Sequence, residues 1–342
     1  AIDSANFRVP VYHYCQVVSI ISANVFTAPT SSDLIYTLLD GQLALPYNDG
    51  MVLEREVVAI KAGGQGMLLG NVELEVVSDG LFMMDGGAVF GVVPKVLWER
   101  EVKADPLNRI PLYLQSLVIR SGGKTILVET GYGSKMSPRH VELFGIQRER
   151  SLVEDLALHG VYPDDVDIVI NTHLHADHCG SNTRLSDGAP VPTFPRAEYW
   201  IQKGEWEDAT HPNERTRATY LSENFLPLLD SGQLRLIEGD TRVTPEVRCI
   251  LSPGHTRFHQ SVIVESQGET AIFVGDIAQY KVQLERLAWV SSFDLEPLVS
   301  LETKRRLMDW AIERNALVIA VHQPLVGRVE KAGPNYRIIE AK

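Results

Sequence analysis

The sequence predicts a layered α/β protein. Short apolar runs rich in branched residues recur along the chain and read as buried strands, among them Val166–Ile170, Val247–Leu251, Ala271–Phe273 and Leu317–Ala320. Stretches with helical spacing separate them. Each of these four runs is followed within four residues by His or Asp, and strand exits in layered α/β proteins converge on one edge where sites are built.

Taken in chain order, residues 1–68 form an N-terminal extension of no assigned role, and residues 69–342 form the catalytic unit. Val17–Ile21 is apolar but lacks a strongly basic stretch before it, so a signal peptide is only one reading; Gly63-Gly64-Gln65-Gly66 reads as a linker. Asn71–Val77, Leu114–Arg120 and Thr125–Glu129 read as strands, the last two joined by the turn Ser121-Gly122-Gly123-Lys124. Residues 151–158 read as an amphipathic helix closed by Gly160. Phe194–Trp200 reads as a strand, and the polar and aromatic stretch to residue 229 as either a pocket wall or a surface helix pair. Leu301–Arg314 reads as a helix with Ser300 as N-cap, and Leu307, Trp310 and Ala311 fall on one core face.

The densest chemistry is His173-Leu174-His175-Ala176-Asp177-His178, directly after Val166–Ile170. Residues two apart on an extended segment point the same way, so His173 and His175 can grip one ion together. If the chain then turns into a helix, Asp177 and His178 project to a second point. Imidazole and carboxylate suit zinc, iron, manganese and cobalt. Surface or hydrogen-bonded core histidines are the plain alternative; it explains one His well and four such residues in six positions poorly. Ser252-Pro253-Gly254-His255-Thr256, Val274-Gly275-Asp276 and Val321-His322-Gln323-Pro324 stand at the other three strand exits.

With these residues in place, the chain resembles the metallo-β-lactamase superfamily of hydrolases over roughly residues 70 to 342. The motif His-x-His-x-Asp-His is met in full at 173–178, and His255, Asp276 and His322 follow in the family's order. The resemblance implies an αββα sandwich. It implies that His173, His175 and His255 hold one metal, that Asp177, His178 and His322 hold a second, and that Asp276 bridges both. Pro253-Gly254-His255-Thr256-Arg257-Phe258-His259-Gln260-Ser261 is similar to a stretch of quorum-quenching lactonases. Asp85–Pro94 and Gln283-Leu284 resemble the branch that holds methyl parathion hydrolase. Class B β-lactamases usually replace the position of Asp276 with Cys or Ser, which this chain does not.

Three departures from the family's pattern stand out. The usual Val-Asp-Thr-Gly appears as Val128-Glu129-Thr130-Gly131, so a longer carboxylate occupies the place that braces the metal loop. Gly180-Ser181 replaces Gly-Gly. The lactonase Tyr three residues after the bridging Asp is Gln279 here. The adjacent Tyr280 is the candidate to reach a substrate carbonyl, with a packed aromatic as the alternative.

Composition narrows the function classes. The net charge of −12 disfavours a nucleic-acid binder, which needs a basic face. No apolar stretch approaches the ~20 residues of a membrane span. Cys15, Cys179 and Cys249 form no disulfide framework; Cys249 reads as a buried thiol and Cys179 as a small filler. Cytoplasmic residence is the expectation, with secretion or the periplasm left open, as is a homodimer. Two divalent ions, zinc first and iron, manganese or cobalt as alternatives, bring four positive charges, of which Asp177, Asp276 and a bridging hydroxide cancel three. The hydroxide attacks and Asp177 carries the proton to the leaving group. The expected function is a dinuclear hydrolase opening lactones or related esters of a small, neutral, partly apolar substrate. Phosphotriester or phosphodiester hydrolysis is the runner-up; a β-lactamase, a diiron redox protein and a metal-stabilised binding module are the remaining alternatives.

Overall fold

Short glycine turns set the first strands in register. In the computed structural model, which describes residues 66–341, β1 (Met67–Leu69) turns at Gly70 into β2 (Val72–Asp85), and β2 pairs antiparallel with β3 (Arg109–Ser121). Between β3 and β4 (Lys124–Val128), Gly122 and Gly123 have φ of 59° and 73°, as a tight two-residue hairpin requires. β5 (Ile168–Ile170) then runs parallel to β4. Beyond a separate hairpin of β6 (Thr183–Ser186) and β7 (Ala189–Pro192), β8 (Glu198–Gln202) and β9 (Leu234–Ile237) complete a seven-stranded sheet, with β4, β5, β8 and β9 parallel.

A second seven-stranded sheet takes β10 (Thr241–Arg242), β11 (Val247–Leu251), β12 (Gln260–Ser266), β13 (Glu269–Phe273), β14 (Leu317–Ile319), β15 (Val326–Ala332) and β16 (Asn335–Glu340) in that order. β13 and β14 are parallel and the other neighbours antiparallel, so β11, β13 and β14 leave the sheet at the same edge.

Period-two alternation divides each strand between two cores. In β5, Ile168 and Ile170 face the other sheet while Val169 faces the outer helices. In β13, Ala271 and Phe273 face inward and Ile272 outward; in β14, Leu317 and Ile319 face inward and Val318 outward. Strands covered on both faces read as unbroken apolar runs, which is why these were conspicuous.

Helices cover both outer faces. On the first sheet lie α4 (Leu152–Leu158), α6 (Lys203–Thr210) and α7 (Leu226–Asp230), through Leu152, Leu156, Ala209 and Leu228. Over the second lie α8 (Lys281–Glu285) and α9 (Pro297–Glu313), through Leu284, Leu307, Met308 and Ala311. The layer order is therefore the αββα sandwich. Shorter helices α1 (Gly86–Phe90), α2 (Lys95–Trp98), α3 (Pro138–Leu143) and α5 (Ala176–Cys179) lie in the connections. No helix among the described residues is long and apolar enough to cross a membrane.

The elements differ from the sequence reading in four places. β3 begins at Arg109, five residues before Leu114. β2 runs eight residues further than Val77, through a bulge between Ser78 and Leu81 where Gly80 has φ of 97°. Inside that bulge Asp79, fully buried, accepts from the amides of Gly133 and Leu152 and pairs with Arg148 at 3.3 Å. β8 starts only at Glu198, since Pro195 has no N–H to pair and Phe194 N donates to the Tyr199 hydroxyl instead. α9 begins at Pro297 behind Glu296, so Ser300 is an internal buried residue and not the N-cap; proline's fixed φ suits a helix's first position. By contrast, Ser151 and Glu154 close a capping box on α4, and Trp310 packs on the outer core. The expectations for the N-terminal segment, including Cys15 and most of the Gly63–Gly66 linker, lie outside the described residues; β1 straddles the expected boundary after residue 68.

Candidate metal centre

The loop after β5 stays extended through His173 and His175 and then turns into α5, the single turn Ala176–Cys179. That change of backbone separates the motif's side chains. Ligand atoms of His173, His175 and His255 lie within 4.8 Å of one another, and so do those of Asp177, His178 and His322. Each trio draws on both sheets: the motif leaves β5, His255 follows β11 and His322 follows β14.

Asp276 stands between the trios, on a single 3₁₀ turn after β13. Its Oδ1 is 3.0 Å from His322 Nε2 and 3.4 Å from His178 Nε2, while its Oδ2 is 3.4 Å from His255 Nε2. The two carboxylate oxygens thus face different trios. Asp177 Oδ2 lies 3.4 Å from both His178 Nε2 and His322 Nε2. Of the seven candidate ligands, only Asp177 is not buried.

Oxygen atoms orient the imidazoles from behind. His255 Nδ1 donates to Asp294 Oδ1 at 3.0 Å, and His322 Nδ1 donates to the Tyr113 carbonyl at 2.7 Å. His173 Nδ1 is 2.9 Å from the Thr172 hydroxyl. Fixing one ring nitrogen in this way aims the other into the centre. Glu129 takes part too: Oε1 accepts from Thr172 N at 2.9 Å and Oε2 stands 3.5 Å from His178 Nδ1, ion-pair reach but longer than a hydrogen bond. Its backbone has φ of 68°, an uncommon conformation for a residue with a side chain.

The donor set fits a cation. His173 Nε2, His178 Nε2, His322 Nε2 and Asp276 Oδ1 are buried and have no hydrogen-bond partner. Leaving four converging polar atoms unsatisfied costs far more than coordinating them, and imidazole with carboxylate is a suitable set for a first-row divalent ion. The charges are consistent with this. Burial drives the proton affinity of His173 well below the ordinary range and that of His175 to about 3, with neighbouring imidazoles adding to the effect. Burial also opposes ionisation of Asp177 and Asp276, yet the histidines around them hold Asp177 at about 2 and Asp276 well below its usual value. Burial disfavours a charged His178, but Asp177, Asp276 and Glu129 together raise it well above normal.

Tyr280 stands apart from this geometry. Its hydroxyl donates to the Pro111 carbonyl, and its ring packs against Phe90 within a cluster that includes Trp98 and Trp289. That is the packed-aromatic arrangement, with the hydroxyl already engaged. Gln279 is the nearer side chain: its Nε2 is 3.3 Å from Asp276 Oδ2. Cys179 and Cys249 are both buried thiols. Cys179 donates to the Leu174 carbonyl, and burial pushes the Cys249 thiol up to about 12. Sequence reasoning passed over Asp294, Glu205 and the role of His259, whose Nε2 accepts from Asp276 N at 3.0 Å. Burial keeps His259 neutral, at about 3. Its place in the Thr-x-x-His-Gln-Ser stretch was the one available signal.

Comparison with known proteins places the chain in a family. Residues 110–303 match the family described as Metallo-beta-lactamase superfamily; His322 falls outside that match and is brought in by the fold. An N-acyl homoserine lactonase of a Bacillus species is 32% identical over 189 residues, which span 55% of this chain and 68% of that protein. The N-acyl homoserine lactonase AttM of Rhizobium johnstonii is 24% identical over 271 residues, 75% of this chain and 97% of that one. Among solved structures, a probable metal-dependent hydrolase from Staphylococcus aureus superposes with a TM-score of 0.72 at 28% identity, covering 81% of this chain and 99% of that one. AidC, a dizinc quorum-quenching lactonase, shares the fold with a TM-score of 0.66 at 19% identity, over 81% and 97% of the two chains. The chain belongs to the metallo-beta-lactamase superfamily, among its metal-dependent hydrolases.

Proposed function

We propose that this chain is a dinuclear metal hydrolase that opens lactones or cleaves related esters. The observation that carries the reading is the division of one carboxylate, Asp276, between two ligand trios in which the inward nitrogens of His173, His178 and His322 lack hydrogen-bond partners. His173, His175 and His255 would hold one divalent ion and Asp177, His178 and His322 the other, with Asp276 shared and zinc the first choice. The lactone assignment is supported by relatives that carry the name N-acyl homoserine lactonase.

Bound ions of this kind acidify water to a pKa of about 7 and polarise a carbonyl oxygen. The chain's own residues do the rest. Burial keeps His173 and His175 neutral and available as ligands, while the oxygen atoms behind His173, His255 and His322 hold those rings in place. Asp177, the one candidate ligand that is not buried, takes the proton released as water adds to the carbonyl carbon. Its low proton affinity favours onward transfer to the far more basic ring oxygen as the acyl–oxygen bond breaks. No serine or cysteine nucleophile is needed; the Cys179 thiol is buried and hydrogen-bonded.

Elemental analysis tests the reading first. The 342-residue chain purified without chelator should hold two divalent ions; one or none, with no gain on adding metal, refutes it. A panel of lactones, aryl esters, phosphotriesters and β-lactams then ranks the substrate classes.

A further inference from the structure

Glu205 sits near the start of α6, only 1% exposed, with no Lys or Arg ion-pair partner among the described residues. A buried carboxylate without a cation is costly unless its oxygens are hydrogen-bonded and some positive charge lies near. Its oxygens are fully used. Oε1 accepts from the backbone N–H of Leu174 at 3.0 Å and from the Tyr220 hydroxyl at 3.0 Å, and Oε2 accepts from the Thr256 hydroxyl at 2.6 Å.

The identity of those partners is what matters. Leu174 lies between His173 and His175. Thr256 follows His255. The Tyr220 ring lies 5.1 Å from the ring of His175. Every arm of Glu205 therefore ends beside a member of one trio, and none ends beside His322. On the other side of the same loop, Glu129 reaches Thr172 N and stands against His178. The loop is held from both sides by buried carboxylates: Glu205 ends only beside the His173, His175 and His255 trio, whereas Glu129 ends beside His173 of that trio and His178 of the other.

We propose that Glu205 is a positioning residue for the His173, His175 and His255 site: it locks the β5 and β11 loops together and supplies the negative charge that balances a cation held there. The proposal rests on the two-metal reading above. It predicts that loss of Glu205 acts on one metal equivalent and spares the other.

Two substitutions separate charge from hydrogen bonding. Glu205→Gln keeps the shape and removes the charge; Thr256→Val removes only the arm to the His255 loop. The full 342-residue chain is stripped with chelator, its fold is checked by circular dichroism, and zinc is titrated against a competing chromophoric chelator. The ring resonances of His255 and His322 report which trio fills. Each variant should weaken zinc binding at the His255 trio by about 10-fold or more, the scale of losing an outer partner of a metal ligand, and leave the His322 trio within about twofold. Equal weakening at both trios, or no change at either, overturns the proposal, as does failure of both variants to fold, which would make Glu205 a structural prop. A wild-type chain that binds fewer than two equivalents overturns the two-metal reading itself and this inference with it.

Discussion

Nδ1 of His255 donates to Oδ1 of Asp294 at 3.0 Å, and this contact fixes Nε2 toward His175 and Asp276. Asp294 lies 39 residues further along the chain, in the connection before α9, and is itself buried. A ring without this anchor could turn and would present a protonated nitrogen to the centre.

Asp294→Ala should therefore lower metal affinity by roughly 10–100-fold while leaving most of the fold intact. Metal titration of the purified variant checks this. Unchanged affinity would show that His255 needs no partner.

Asp276→Ala removes a group that faces both trios. Turnover should fall by more than the roughly 10–100-fold expected for an outer partner, and bound metal should fall with it. Near-normal turnover in a variant with wild-type circular dichroism would rule out the shared-carboxylate mechanism.

Much of this site was legible in the sequence because His173, His175, Asp177 and His178 lie within six positions and need only an extended-to-helical change to divide them. His255, Asp276 and His322 were legible as strand exits, since strands buried on both faces announce themselves as apolar runs. Glu205 and Asp294 were not. Glu205 reaches partners 15, 31 and 51 residues away and Asp294 one 39 residues away, and an acidic residue in a polar stretch looks the same whether it faces solvent or a buried loop. The long β2 was cut short in the reading because Ser78, Asp79 and Gly80 break apolar alternation at the bulge. Ser300 attracted the N-cap role by residue type, while Pro297 in fact starts the helix.

Gly180 follows α5 where the chain passes the backbone of Tyr132. A Cβ there would stand 2.0 Å from the Tyr132 carbonyl oxygen, a contact backbone cannot relieve without moving. Gly180→Ala should cost about 1–3 kcal/mol in a denaturant melt. A loss under about 0.5 kcal/mol would show that the loop relaxes freely.

Lys304 is almost fully buried and donates to the carbonyls of Gln283 and Trp289. Burial lowers its proton affinity from 10.5 to about 8, with Asp294 opposing the shift. Between those values the unfolded chain binds more protons than the folded one, so this group's contribution to stability rises as pH increases from about 8 to 10.5. The full span is about 3 kcal/mol. Lys304→Met removes the effect; the stability difference between wild type and variant should grow in favour of wild type across that window. A difference that is flat with pH would show that Lys304 keeps an ordinary proton affinity.

Substrate preference follows from the two-trio geometry. A lactone offers a carbonyl oxygen and a ring oxygen to two cations, whereas a penicillin offers a nitrogen leaving group. kcat/KM for an acyl-chain lactone should exceed that for a penicillin by at least about 100-fold, or about 2.7 kcal/mol. Comparable rates on both would refute the preference.

Because each trio takes ligands from both sheets, neither half of the sandwich owns a binding site. During synthesis the His-rich loop emerges long before His322, so an early segment offers only partial, weaker sites, and full loading must wait until the second sheet has docked. A chain arrested before β14 lacks His322 and so presents only part of the second trio.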